Sequence, residues 1–277
     1  MKSRVRITDI LLSFLTRAAA VAAAGVLAFL IGYTVIKGLP NLRWSLFAWR
    51  YTSENVSVVP SIVTTIMMTL LSLLIAVPLG VFTAIYLVEY ARRGSRTVEL
   101  IRMTTETLSG IPSIIYGLFG MLFFVSQLGW GFSIAAGALT LSIMILPLII
   151  RTTEEALKSV PDSYREGSFG LGAGRLRTVF RIILPSAFPG ILSGVILGIG
   201  RIMGETAALI YTAGTVAKIP SSLTDSARTL AVHMYTLSSE GLHTSEAYAT
   251  ALILLIIVIG MNTLAGYIVK RLSGGTS

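Results

Sequence analysis

Two ionisable residues, Arg201 and Glu205, stand in an otherwise apolar stretch, GILSGVILGIGRIMGETAAL, residues 190–209. A mid-span arginine costs about 2.5–3.5 kcal/mol on insertion scales, so it needs a partner or a use. On one continuous helix, Gly190, Gly194, Gly198, Arg201 and Glu205 fall within about 80° of arc. The charged pair then shares a face with glycines spaced for close approach of another helix, turned toward protein and away from lipid. Two chemistries fit. One is a structural ion pair across one helical turn. The other is an anion site, because guanidinium offers a rigid fork of donors that matches a tetrahedral oxyanion bidentately. Glu205 would hold that fork in place while no anion is bound. It would also accept a hydrogen bond from a protonated oxyanion, which a fully ionised one cannot offer.

A second stretch is polar where its surroundings are not. EALKSVPDSYREGSFGLGAGRLRTVFRIILP, residues 155–185, holds six charged residues between Lys158 and Arg177. Ser159 with Asp162 fits a capping box, and Pro161 is tolerated in a first helical turn. Gly172 and Gly174 would stop the short helix that follows. A small exposed helix between two membrane spans is something another protein can hold. The spacing of Glu166-Gly167-Ser168, Gly172, and Ile182-x-Leu184-Pro185 resembles the EAA loop of ABC-importer permeases, with Gly167 and Ser168 in place of that family's alanines. The resemblance implies a coupling helix that docks on a separate ATPase subunit, within a loop at about 152–185, with Ser159, Pro161, Asp162, Glu166, Gly172 and Pro185 as its marked positions.

These features must be positioned by membrane-spanning elements. The 277 residues are 54% hydrophobic and 13% charged, with mean hydropathy +0.80, which is an integral membrane protein and not a soluble globule. The net charge of +9 lies between apolar runs, as topology signals do, and does not point to nucleic acid. Disulfides and thiolate metal sites are excluded because there is no cysteine. His233 and His243 read as surface residues of one loop.

Apolar runs predict six spans, at about 18–36, 60–88, 103–125, 132–150, 186–210 and 247–269. The basic start before the first run resembles a signal peptide, yet that run is long enough to read as a span. Trp44, Phe47 and Trp49 after it suit a membrane interface. On the second span Thr65, Thr69, Ser72, Ala76, Gly80 and Thr83 form one stripe of small and hydroxyl side chains, suited to helix packing or to a polar pathway. Pro78 predicts a kink there. On the third, Glu106 lies one turn beyond Arg102 and predicts an ion pair, while Pro112 breaks the backbone ladder beside Ser113. Sixteen of the 22 Lys and Arg fall on the side of the termini and the 155–185 loop, against five on the other. That side is therefore cytoplasmic.

GRIMGETAALIYTAG, residues 200–214, resembles the signature of PstA-type permeases of phosphate-specific ABC importers, and GIPSIIYGLFG, residues 110–120, resembles a span of phosphate-importer permeases. Thr206-Ala207-Ala208-Leu209 favours the PstA type over the sister PstC type. The likeness covers the second span onward. It implies an all-α polytopic membrane protein with six transmembrane helices and the type I ABC importer permease (MetI-like) fold. Residues 1–60 would carry the first span and an external loop, and 61–277 the permease domain. It implies phosphate as substrate, with Arg201 and Glu205 on the substrate pathway; Thr206, Thr65, Thr69 and Ser113 are further hydroxyl candidates for that pathway. It also implies a PstC-type permease, a PstB-type ATPase dimer and a PstS-type phosphate-binding protein as partners. No G-x-x-x-x-G-K-[ST] occurs, so ATP and magnesium belong on the partner ATPase, and this chain is expected to bind no cofactor and catalyse nothing. Sulfate or molybdate import is the neighbouring alternative. An ion-driven secondary transporter explains the buried charges but not the EAA spacing, and a structural scaffold explains neither.

Overall fold

A computed structural model describes residues 2–92 and 94–273, almost wholly as helices and turns. In chain order the helices are α1 (Lys2–Gly38), α2 (Val59–Ile85), α3 (Arg96–Ser109), α4 (Ser113–Gly120), α5 (Ile134–Lys158) and α6 (Asp162–Gly170). After them come α7 (Arg175–Thr178), α8 (Leu184–Met203), α9 (Ala207–Ile210), α10 (Leu230–Glu240) and α11 (Thr244–Ser273). Wider π-helical turns extend α2 to Tyr90 and α4 to Gln127, and another joins α7 to α8. Among the described residues, five helical stretches are long and apolar enough to cross a membrane. The pair α3 and α4 makes a sixth if counted as one broken span, bent by 102°.

That bend sits where the sequence places it. Pro112 cannot donate to the ladder, and α4 restarts with Pro112 extended at its N-cap. By contrast α2 runs unbroken through Pro78. The expected pairing of Arg102 with Glu106 is not what forms. Arg102 instead reaches α5, its Nη2 lying 2.6 Å from Glu154 Oε1, which Lys158 Nζ also approaches at 2.7 Å. A partly buried carboxylate shared by two cations outcompetes an exposed neighbour on the same helix.

The centre of the fold is α5. Two-thirds of its most apolar window is buried, against 11% for α11 and none for α1. The small-residue stripe of α2 packs on it. Ser72 Oγ donates to Ala138 O at 3.2 Å, and Ser142 Oγ donates to both Ala138 O and Ser72 O. A Cβ at Gly80 would sit 2.6 Å from Ile149 Cγ2, so a side chain there would collide with the branched side chain of Ile149. On the other flank of α5, Gly190 and Gly194 of α8 face Ala156 and Thr152. Around these seams Met68, Leu141, Ile145, Ile202 and Leu209 form a buried apolar cluster. In lipid, where tails are as apolar as leucine, such close backbone approach and interhelical hydrogen bonds are what hold helices together.

The 211–246 interval is more ordered than a polar loop. It contains α10, and His233 on α10 is fully buried, correcting its reading as a surface residue. His233 meets Tyr51 edge-on at 6.0 Å, and the Arg228 guanidinium lies 4.9 Å over the same ring. Burial, with Arg228 nearby, pushes the His233 pKa down to about 3. Earlier in the interval Asp225 accepts from the Ser221 amide and hydroxyl, both at 2.8 Å, and pairs with Lys218. Those bonds hold its carboxyl well below the usual carboxylate range.

Candidate functional site

The fifth span does not continue as one helix to residue 210. It ends at Met203, with Gly204 as C-cap and the Gly204 amide donating to Gly200 O at 3.3 Å. Glu205 lies beyond that end, so Arg201 and Glu205 are not neighbours one helical turn apart. Among the described residues no ion pair joins them. Glu205 is 9% exposed, and its Oε1 accepts from the Ala208 amide at 3.0 Å, capping the four-residue α9. The carboxylate therefore answers the unsatisfied amides of a helix start, as a capping side chain does.

Arg201 lies on the exposed side of α8 with Ser193 and Leu197, while Gly194, Gly198 and Ile202 are buried. On a helical wheel it falls about 20° from Gly194, at the margin of the packed seam and not within it. Its guanidinium has no carboxylate partner among the described residues. That leaves a full positive charge on an open face of a membrane span, beside the buried turn that Glu205 holds.

The two signature stretches meet in space. A Cβ on Gly117 of α4 would lie 2.7 Å from Ala208 Cα of α9, and one on Gly120 would strike Thr140 and Thr212. Thr206, the N-cap of α9, lines a cavity of about 720 Å3 together with Ile114, Ala207, Ile210 and Tyr211. Tyr33 of α1 and Tyr248 of α11, whose hydroxyls are 3.4 Å apart, also line it. Ser113 opens α4 and is half-buried. Thr65 and Thr69 stand elsewhere, buried in the helix seams and outside that cavity. Thr65 Oγ1 donates to Ser61 O at 2.7 Å and accepts from the Leu230 amide at 2.8 Å, tying α10 to α2. Thr69 donates to Thr65 O.

The polar loop forms the expected short helix, α6, with Pro161 at its N-cap and Asp162 first inside. The capping box is not made. Ser159 instead ends α5, its Oγ donating to Ala156 O at 2.8 Å, because the chain has already turned before Pro161. Gly172 closes α6 with φ +79°, a left-handed conformation that favours glycine, and its amide donates to Phe169 O at 2.9 Å. Gly174 caps the start of α7. Ser168, at the third position of the motif, exchanges a buried 2.8 Å hydrogen bond with Thr178 of α7. Ser159, Pro161, Tyr164 and Pro185 line one shallow cleft. Glu166 is exposed, and so are Tyr164, Phe169, Leu171 and Leu176 around it.

Sequence reasoning passed over Arg165, which lies inward beneath this surface. Its guanidinium donates to Glu89 Oε1 from Nε at 3.1 Å and from Nη2 at 2.7 Å. It also donates to Leu157 O, Val160 O and Asp162 Oδ1. Glu89 is separated from it by 76 positions, which no local periodicity spans.

Packed membrane helices around a buried centre, a broken third span and a short helix offered on an interspan loop define a polytopic permease of the type I ABC importer fold. The chain belongs to the family of binding-protein-dependent transport system inner membrane components, which it matches over residues 76–274. It is 34% identical over 281 aligned positions to the probable ABC transporter permease protein YqgI of Bacillus subtilis, covering 95% of each chain. It is 33% identical to the phosphate transport system permease protein PstA of Yersinia pestis, over 86% of this chain and 82% of that one. Among solved structures it resembles an inward-facing MetNI methionine ABC transporter chain, with TM-score 0.59 and 21% identity, over 78% of this chain and 94% of that one.

Proposed function

We propose that this chain is the permease subunit of an ATP-driven importer that carries inorganic phosphate across the cytoplasmic membrane. Arg201 contacts the passing anion, and Thr206 contributes a hydroxyl at the edge of the pathway. Glu205 acts differently from a salt-bridge partner: it fixes the turn that follows Arg201. Ser113 opens the helix that packs on that turn, whereas Thr65 and Thr69 hold spans together. One observation carries the reading, the uncompensated guanidinium of Arg201 on an open face of α8, at the head of the stretch that resembles PstA. A partner permease, PstC-type, completes the pathway on that face. A PstB-type ATPase dimer supplies ATP and magnesium chemistry, and a PstS-type protein delivers phosphate from outside.

The coupling helix α6 engages the ATPase through Glu166 and the apolar side chains around it, with Gly172 and Pro185 setting the ends of the loop. Both termini and this loop face the cytoplasm. Residues 61–277 form the permease domain, and the first span precedes it.

Phosphate uptake by cells carrying the whole importer tests the assignment. Charged hydrogen bonds contribute about 1.5–3 kcal/mol each, so Arg201→Gln should lower uptake at least about tenfold at matched membrane levels. Arg201→Lys keeps the charge, loses the fork and should be intermediate. Unchanged uptake in Arg201→Gln would refute the assignment. Competition by sulfate or molybdate, with phosphate ineffective, would reassign the substrate.

A further inference from the structure

We infer that Arg165 and Glu89 form a latch that carries movement of the α6 helix into the membrane spans, making Arg165 a positioning residue for transport. The inference rests on α6 being the ATPase-coupling helix. A guanidinium has five N–H donors, and Arg165 directs them at three parts of the fold. Two go to Glu89 Oε1 at the end of the second span, one to Leu157 O at the end of α5, and two to Val160 O and Asp162 where α6 begins. The side chains of Arg165 and Glu89 are 16% and 7% exposed, so water competes weakly for these bonds. The rest of α6 is nearly free of the spans: apart from the buried Ser168–Thr178 bond, its residues face outward. A pull on α6 reaches α5 along the backbone of residues 159–161, while toward the end of the second span Arg165 supplies the polar side-chain link from α6. Those two helices share the close seam at Ser72, Ala138, Gly80 and Ile149, so what the latch moves is the central packing of the permease.

The latch predicts a loss of coupling and not a loss of assembly. The complete importer would be reconstituted in proteoliposomes with phosphate in its binding protein. Phosphate imported, ATP hydrolysed and ATPase retained on purification would be measured for wild type, Arg165→Gln, Glu89→Gln and the double variant. Each single variant should keep the ATPase and keep hydrolysing, while phosphate imported per ATP falls at least about fivefold, the lower end of typical coupling between sites. The double variant should be no worse than the singles, because both break one connection.

An unchanged ratio in complexes that merely assemble poorly would make Arg165 structural and overturn the proposal. Uncoupling in Arg165→Gln with a normal Glu89→Gln would overturn it too, leaving only the carbonyl contacts. Should the glutamine variants fail to accumulate, Arg165→Lys gives the same readout, since an ammonium cannot span three elements; a normal ratio there refutes the latch. A wild-type complex that holds no ATPase or imports no phosphate would instead refute the functional reading itself.

Discussion

At the scale of single residues, burial decides what charge means. His233 is wholly enclosed, and its pKa lies at about 3, well under the ordinary 6.5, so it is neutral in the folded protein. A depressed folded pKa means the unfolded chain binds the proton first. Stability from this residue is therefore complete above about pH 6.5 and declines as pH falls toward 3. Asp225 is also depressed, but from 3.8, so its contribution is lost only at lower pH. Between pH 6.5 and 4 the histidine accounts for a separable slope of at most about 1.4 kcal/mol per pH unit. His233→Leu should flatten the fall of melting temperature across that window relative to wild type in the same detergent. Parallel curves would show that the Tyr51 and Arg228 surroundings accommodate the imidazolium. Arg201 is the opposite case, a cation left open, and Arg165 a third, a cation whose every donor is engaged.

At the scale of elements, the glycine seam between α8 and α5 makes a sharp prediction. A Cβ at Gly194 would lie within van der Waals overlap of Thr152, 2.7 Å from its Cβ, so Gly194→Val must push the helices apart. Overpacking of this kind costs about 1–3 kcal/mol. The variant should melt earlier in detergent, and Thr152→Ala should recover part of the loss by removing the opposing hydroxyl and methyl. No recovery would mean that the strain is taken up within α8 itself. This seam and the α2 stripe were legible in the sequence because small residues recur every three or four positions, the helix's own period. The α6 helix was legible through Pro161 and the glycine at Gly172. The Arg201–Glu205 pairing was misread because periodicity assumes an unbroken helix, and Gly204 ends it. Similarly, Ser159 was assigned to the start of α6 although it finishes α5. The Glu89–Arg165 and Arg102–Glu154 pairs were beyond reach, since helix crossings and not spacing bring them together.

At the scale of the whole molecule, orientation ties the two sites to opposite tasks. The basic residues are split sixteen to five across the spans, with Arg201 inside one. A positive-inside reading puts the α6 loop and the α2–α3 connection in the cytoplasm, and the 211–246 interval outside. With that orientation and the proposed function, Arg201 and the turn after it lie toward the outer end of α8, where an anion would be delivered, and the proposed latch lies at the inner end, where a partner ATPase would act. The protein has no cysteine, so each introduced thiol would be the only one on this chain. Ser222 and Thr97 are both exposed, one in each interval. In intact cells, or spheroplasts where an outer membrane intervenes, Ser222→Cys should react with a membrane-impermeant maleimide. Thr97→Cys should react only after the membrane is permeabilised, a control that also shows the site is not covered by a partner. Labelling of Thr97→Cys from outside, with Ser222→Cys protected, would invert the topology. The α6 helix could not then meet a cytoplasmic ATPase, and Arg201 would lie toward the wrong side to receive an external anion.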